Sequence, residues 1–222
     1  MITAMLDFLN NGIMEPDVNY MQIVLIPKIK SPEKITDYRP ISLCNVIYKI
    51  ISKVLANRLK QILPHLIATM QSAFVHSRLI TDNFLVAYES LHAMHYHKKG
   101  RRGSFALKLD VSKAYDRVEW AFLKGIMTKL GFPEVRIERV MCCVSTPSFF
   151  RINGKSYGHI ILSRGLRQGD PLSPYLFLLC AKGFSSLLAR VEAENRLHGV
   201  SIFRRAPSIS HLLFTNDSLL FC

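Results

Sequence analysis

Two polar points interrupt apolar runs of this sequence, and both carry oxygen ligands. Asp110 closes the run that begins at Ser104, and Asn216-Asp217 lies inside the apolar stretch from His211 to Cys222. Carboxylates held at strand ends, far apart in sequence, can meet across a sheet and clamp divalent metals for phosphoryl or nucleotidyl transfer. Between them, the run from Arg164 to Pro174 has Gly165 and Gly169, which let a backbone approach a ligand, and Arg167 and Gln168, which offer donors just before a helix start. Taken singly, each segment has a plain alternative as a turn, a loop or a helix cap. The order of the three is what carries weight: acid at a strand end, Gly-Gln loop before a helix, acidic hairpin last.

The elements that must position these residues can be read from periodicity. The β-rich run Tyr20 to Ile26 predicts a strand, halted by Pro27 and followed by a basic loop with Lys28, Lys30, Lys34 and Arg39. Helical spacing within Ile41 to Leu63, through Ile47, Ile50, Ile51, Val54, Leu55, Leu59 and Ile62, predicts a helix that Pro64 ends. A second helix is expected from about Asp82 to Met94, and the basic segment from His95 to Gly103 marks an internal boundary. The strand ending at Asp110 alternates, so Phe105, Leu107 and Leu109 share one face while Ala106, Lys108 and Asp110 share the other. Further on come a helix from about Val118 to Leu130 closed by Gly131 and Pro133, and a hairpin turning at Asn153-Gly154. A helix from Ser173-Pro174 to about Glu194 follows, then short strands near Val200 to Phe203 and Ser210 to Phe214. Alternating helices and hairpins predict an α+β fold, a mainly antiparallel sheet backed by helices.

Composition narrows the partners. The 222 residues are 49% hydrophobic, enough for one substantial core or two lobes, and 29 Lys and Arg against 16 Asp and Glu give a formal charge of +13 that favours a polyanionic partner. No apolar run reaches the roughly 20 residues of a membrane span, and the N-terminus lacks the features of a secretory signal, so an intracellular, nuclear or cytoplasmic setting without membrane association is expected. Five cysteines without C-x-x-C spacing predict free thiols rather than a disulfide framework or zinc cluster. His92, His95 and His97 lie beside Lys98 and Lys99, whose charge opposes a metal site.

The three blocks around Asp110, Gln168 and Asn216-Asp217 resemble motifs A, B and C of reverse transcriptases, specifically those of plant LINE-type, non-LTR retrotransposons. Ile23 to Lys30 and Asp37 to Leu43 look like the family's fingers motifs, and Gln71 to Phe74 with Arg78 fits the segment that follows, so the likeness runs along essentially the whole chain. It implies a right-hand polymerase architecture, fingers over 1–103 and an incomplete palm over 104–222, with the thumb absent. It implies RNA-directed DNA polymerase activity using an RNA template, a DNA primer and deoxynucleotide triphosphates, with magnesium as a two-metal cofactor. By the same likeness Asp110 and Asp217 are metal ligands and Tyr115 is the aromatic gate against a ribose 2′-hydroxyl. Gln168 and Gly169 border the incoming nucleotide, and Arg39, with Lys28 a weaker candidate, reaches its triphosphate. Asp116 and Asp170 match the pattern too, and are expected first as structural hydrogen-bond acceptors.

One letter departs from the family. Motif C there reads Phe-Ala-Asp-Asp, whereas this chain has Phe214-Thr215-Asn216-Asp217, so an amide stands at the first carboxylate. The lost charge beside a dication is worth on the order of several kcal/mol, a loss of roughly a hundredfold or more in rate. Asp217 is expected to point elsewhere on the hairpin than this position. The chain stops at Cys222, directly after motif C, which suggests a fragment, so an impaired polymerase domain is expected, with a non-catalytic nucleic-acid-binding remnant as the alternative.

Overall fold

The computed structural model describes residues 2–15, 18–75, 77–96, 103–145, 148–152, 155–160, 162–203, 205–214 and 217–222, with backbone alone for 148–152 and 156–160. Asn216, the Asn153-Gly154 tip, His97 and the basic stretch from Lys98 to Arg102 lie outside the described residues. The order is α1 (Ile2–Asn11), β1 (Met21–Pro27), β2 (Tyr38–Cys44), α2 (Val46–Leu66), α3 (Ile80–Tyr96), β3 (Ala106–Asp110), α4 (Trp120–Lys129), α5 (Glu134–Val144), β4 (Ser148–Ile152), β5 (Lys155–Ile160), α6 (Ser173–Ala193), β6 (His211–Leu213) and β7 (Asp217–Phe221). Packing divides this α+β chain into two compact units, residues 1–61 with 115–177 and residues 62–114 with 178–222. These units cut the chain elsewhere than the expected 103/104 boundary, which falls inside the second one.

In the first unit a four-stranded sheet has the order β2-β1-β4-β5. The β1–β2 and β4–β5 pairs are antiparallel, but β1 and β4 run parallel from Met21 opposite Ser148. The expected helix from Ile41 starts later, because Ile41 to Cys44 pair with β1 as strand and Asn45 caps α2 by accepting a bond from the Ile47 amide at 3.0 Å. Helix α4 ends as read: Gly131, at φ +80°, closes it, with the Gly131 amide on the Thr128 carbonyl and the Phe132 amide on that of Met127. Pro133 does more than stop α4. Its carbonyl accepts from Arg136 and Ile137, opening α5, whose buried Ile137, Val140, Cys143 and Val144 keep helical spacing.

The second unit is organised around an antiparallel three-stranded sheet, β3-β7-β6. Ala87 of α3 packs with Ile209, Leu212 and Phe221 to form its apolar centre, flanked by Val86, Met94, Val200 and Leu219. Helix α2 runs past Pro64 to Leu66, one turn-end beyond the expected stop, because Arg78 gathers the carbonyls that follow. Its guanidinium donates to Ile67 at 3.1 Å, Ala68 at 2.5 Å and Gln71 at 2.8 Å. The strand expected near Val200 reduces to a single bridge, Val200 with Ile209. None of the five cysteines forms a disulfide; Cys143 and Cys180 are buried, and burial pushes the Cys180 thiol up to about 12. Among the described residues no helix is long and apolar enough to cross a membrane.

Candidate active site

Strand register brings the acidic positions of the second unit together. Asp110 is the direct partner of Asp217 across the β3–β7 ladder, and Leu109 pairs with Ser218. Directly opposed residues of an antiparallel pair project to the same face, with Cβ atoms about 5 Å apart. Asp217 therefore shares the face of Asp110. Alternation places Lys108 on this face too, and its Nζ lies 3.4 Å from Asp217 Oδ1 in a solvent-exposed ion pair. The face runs from the core at Phe221, through Leu219, to the open carboxylate corner.

Two buried amides hold the strand that leads into this corner. Asn83 of α3 donates to the Met70 and Leu213 carbonyls at 2.9 and 3.1 Å, and Gln71 donates to the Phe214 carbonyl at 3.3 Å. The Leu213 amide in turn donates to the Met70 carbonyl at 2.9 Å. Periodicity alone did not single out these supports as functional; the available signal was a polar residue, Asn83, on the buried side of an amphipathic helix. At the start of β6, His211 bonds Ser185 of α6 at 2.7 Å through Nε2 and Ser210 at 3.0 Å through Nδ1, while Ser210 donates to Glu192 at 2.7 Å. Burial lowers the His211 pKa against an opposing influence from Glu192.

The remaining predicted residues belong to the first unit. The Gly-Gln loop is laced to the segment that starts at Tyr115. Leu166 donates to the Tyr115 carbonyl at 2.8 Å, Gly165 to that of Val118 at 2.7 Å, and the Trp120 indole to that of Gly165 at 2.8 Å. Gly165 is required here, since its φ is +96° and a Cβ would lie 3.3 Å from the Asp116 backbone. Tyr115 stacks on Phe177 with ring centroids 5.2 Å apart and planes 8° from parallel, and partial burial raises its pKa. A neutral, packed phenol is suited to act as a wall.

On its far side the same loop touches β2, where the Ser42 amide donates to the Gln168 carbonyl at 3.0 Å. Arg39 lies three residues earlier on this edge strand, exposed. Lys28 is engaged locally: its ammonium donates to the Thr36 carbonyl at 2.8 Å, closing the basic loop. Asp37 accepts from the Lys34 and Glu33 amides, which lower its pKa. Arg167, expected to offer a donor to a ligand, is buried instead. It lies 4.4 Å over the Tyr48 ring and donates to Asn19 at 3.0 Å. A cavity of about 390 Å³ is lined by Ile23, Pro40, Ser42 and residues 162–168.

The sequence model of the family described as "Reverse transcriptase (RNA-dependent DNA polymerase)" matches residues 26–222, and the chain belongs to this family. Among curated relatives, an uncharacterized mitochondrial protein of Arabidopsis thaliana is 51% identical over 69 residues, 31% of this chain and 57% of that protein. The Transposon TX1 uncharacterized 149 kDa protein of Xenopus laevis is 34% identical over 167 residues, 75% of this chain and 12% of that protein. The Pol polyprotein from the type-2 retrotransposable element R2DM of Drosophila melanogaster is 28% identical over 76% of this chain and 16% of its own length. The chain thus spans between about an eighth and somewhat over half of these relatives. A solved telomerase from Candida Tropicalis, in complex with the TWJ fragment of telomeric RNA, superposes with a TM-score of 0.59 at 12% identity, covering 94% of this chain and 36% of that one. At that identity the likeness speaks for the fold, which is that of a polymerase fingers and palm.

Proposed function

We propose that this reverse transcriptase domain derives from an RNA-directed DNA polymerase of a non-LTR retrotransposon, with a corner at Asp110 and Asp217 weakened by the amide at Asn216. The supporting observation is the direct pairing of Asp110 with Asp217 across β3 and β7. Two carboxylates on one exposed face are a hard-oxygen donor set that suits magnesium, which completes its shell with waters and substrate phosphates. Among the described residues no third His, Cys, Asp or Glu joins a cluster that could hold a metal. Asp110 and Asp217 would hold the ion, and it would supply charge neutralisation at the phosphates of a deoxynucleotide triphosphate.

This chain's own residues then divide the remaining work. Arg39, a planar fork of donors exposed on β2, is suited to the triphosphate, and Lys28 is a secondary donor. Gly169, without a Cβ, and Gln168 border the nucleotide, and Tyr115 bars a 2′-hydroxyl. RNA template and DNA primer are the polyanionic partners that the +13 charge favours.

The test is extension of a DNA primer on an RNA template with magnesium, comparing the natural chain with Asn216→Asp. Restoring the charge is expected to raise extension by roughly a hundredfold. Equal rates for both would overturn the impairment. The charge excess also favours a second reading, a non-catalytic nucleic-acid binder, for which salt-sensitive binding would persist while neither chain extends.

A further inference from the structure

Within the first unit, Arg167 and Asp170 flank the Gln168-Gly169 dipeptide, and both lead to one side chain. Tyr48 of α2, almost wholly buried, presents its ring face to the Arg167 guanidinium at 4.4 Å and its hydroxyl to Asp170 Oδ2 at 2.5 Å. Ser52, one helical turn further on the same face, donates to Asp170 Oδ1, which also accepts the Leu172 amide at 2.9 Å. The same guanidinium donates to Asn19, whose own amide group donates to the Cys142 carbonyl at 2.8 Å.

We infer that Tyr48 is a positioning residue for nucleotide selection: it anchors both flanks of the Gln168-Gly169 dipeptide, so that the dipeptide is displayed in one fixed conformation to an incoming deoxynucleotide triphosphate. This rests on the nucleotide-binding role proposed above for Gln168 and Gly169. The dipeptide itself stays at the surface, Gly169 at φ +95° in the left-handed region and Gln168 half-exposed, while the residues on either side are only 6% exposed. A cation and an anion are costly to bury unless each is partnered. One phenol contacts both, through π-face attraction on one side and a hydrogen bond to a carboxylate on the other, alongside Asn19 for Arg167 and Ser52 and the Leu172 amide for Asp170. Burial holds the Tyr48 pKa well above its ordinary value, with Asp170 acting in the same direction and Arg167 opposing, so the hydroxyl keeps its proton and donates. The two contacts are three residues apart in the loop, which leaves the intervening peptide few conformations. Rigid display lowers the ordering cost of binding.

Two measurements on the full chain test this separately from the polymerase reading. In Tyr48→Phe, which keeps the ring over Arg167, and in Ser52→Ala, amide exchange of the 164–172 segment is expected to quicken by about tenfold, the weight of one charge-assisted hydrogen bond. Exchange in 106–110 and 217–222 should stay unchanged. Titration with dATP and magnesium should show affinity falling by about three- to tenfold in both variants, with binding of an RNA/DNA duplex unaffected. Unchanged exchange at 164–172 would overturn the inference, as would a uniform loss of protection along the whole chain in both variants. Faster exchange with undiminished dATP affinity would overturn it too. If the natural chain binds no dATP, the nucleotide-binding reading fails on its own, and the anchoring of the loop is still decided by exchange.

Discussion

Lys108 sets the charge of the carboxylate corner, and replacing it should tighten metal binding. Its ammonium lies 3.4 Å from Asp217 Oδ1, on the face where Asp110 and Asp217 are direct partners. This ammonium would repel a dication held by the two carboxylates, and at a separation of about 5 Å unit and double charges repel by about 1.7 kcal/mol in water. Salt at physiological strength, with a screening length of about 8 Å, roughly halves that to about 1 kcal/mol. The side chain of Lys108 is 63% exposed, which argues for the lower figure. Lys108→Met, which keeps the aliphatic stem, is therefore expected to bind Mn²⁺ about fivefold more tightly, a factor that follows from about 1 kcal/mol. The assay is Mn²⁺ titration by electron paramagnetic resonance of the free ion, at low and high salt, with Asp110→Asn as the negative control. The gain should shrink as salt rises. If Lys108→Met binds no more tightly while Asp110→Asn loses binding, the ammonium is not part of the site's field and the electrostatic reasoning fails.

The His211 chain predicts a pH dependence of stability. Ser210 uses its proton on Glu192, so Nδ1 of His211 donates to Ser210 and Nε2 accepts from Ser185, a neutral ring with every group satisfied. Burial lowers the folded pKa, with Glu192 opposing and Lys182 assisting, so the unfolded chain takes up a proton that the folded chain resists. Stability should thus fall as pH drops through about 6.5, by up to about 1 kcal/mol at pH 5.5. Urea midpoints at pH 7.5 and 5.5 would reveal it, and His211→Asn should lose this component; an equal drop in both chains would contradict the assignment. Separately, Gly199→Ala should destabilise by about 2 kcal/mol or more, because overpacking against fixed backbone has no easy relief. The added Cβ would lie 2.6 Å from the Ile209 carbonyl carbon, within a bridge closed by two 2.9 Å hydrogen bonds. A urea transition shifted by less than the error of the measurement would refute that clash.

What could be read from the sequence depended on whether polarity and periodicity agreed. The alternation of β3 correctly placed Lys108 beside Asp110, because a strand of period two leaves no freedom. Helix α2 shows the opposite case. Of the expected stripe, Ile51, Leu55 and Leu59 are buried but Ile50 and Ile62 are exposed at 41% and 36%, and the buried face also takes in Tyr48, Ser52, Ala56 and Leu63. Counting hydrophobic residues penalises Tyr48 and Ser52, and they face inward because Asp170 and Arg167 are there to satisfy them. Helix α5 was missed for a related reason, since Pro133 was read only as an end when it also serves as a start. The parallel β1–β4 pair joins strands more than a hundred residues apart, which no local pattern encodes.

The two units apply one device to different ends. In each, a buried polar side chain from a helix bonds next to candidate site residues: Tyr48 and Ser52 to Asp170 beside Gln168-Gly169, and Asn83 to the Leu213 carbonyl of the strand before Asp217. An apolar contact in either place would pack as well but would tolerate sliding, whereas a buried amide or carboxylate is satisfied at one register only. Register matters most at Asp217, because a one-residue slip of β7 would turn its carboxylate to the opposite face from Asp110. The frame that holds Asp217 rests on Gln71, Asn83 and the β3–β7 ladder, so it does not depend on which residue stands at position 216. An Asn216→Asp chain should therefore unfold with the same urea midpoint as the natural one.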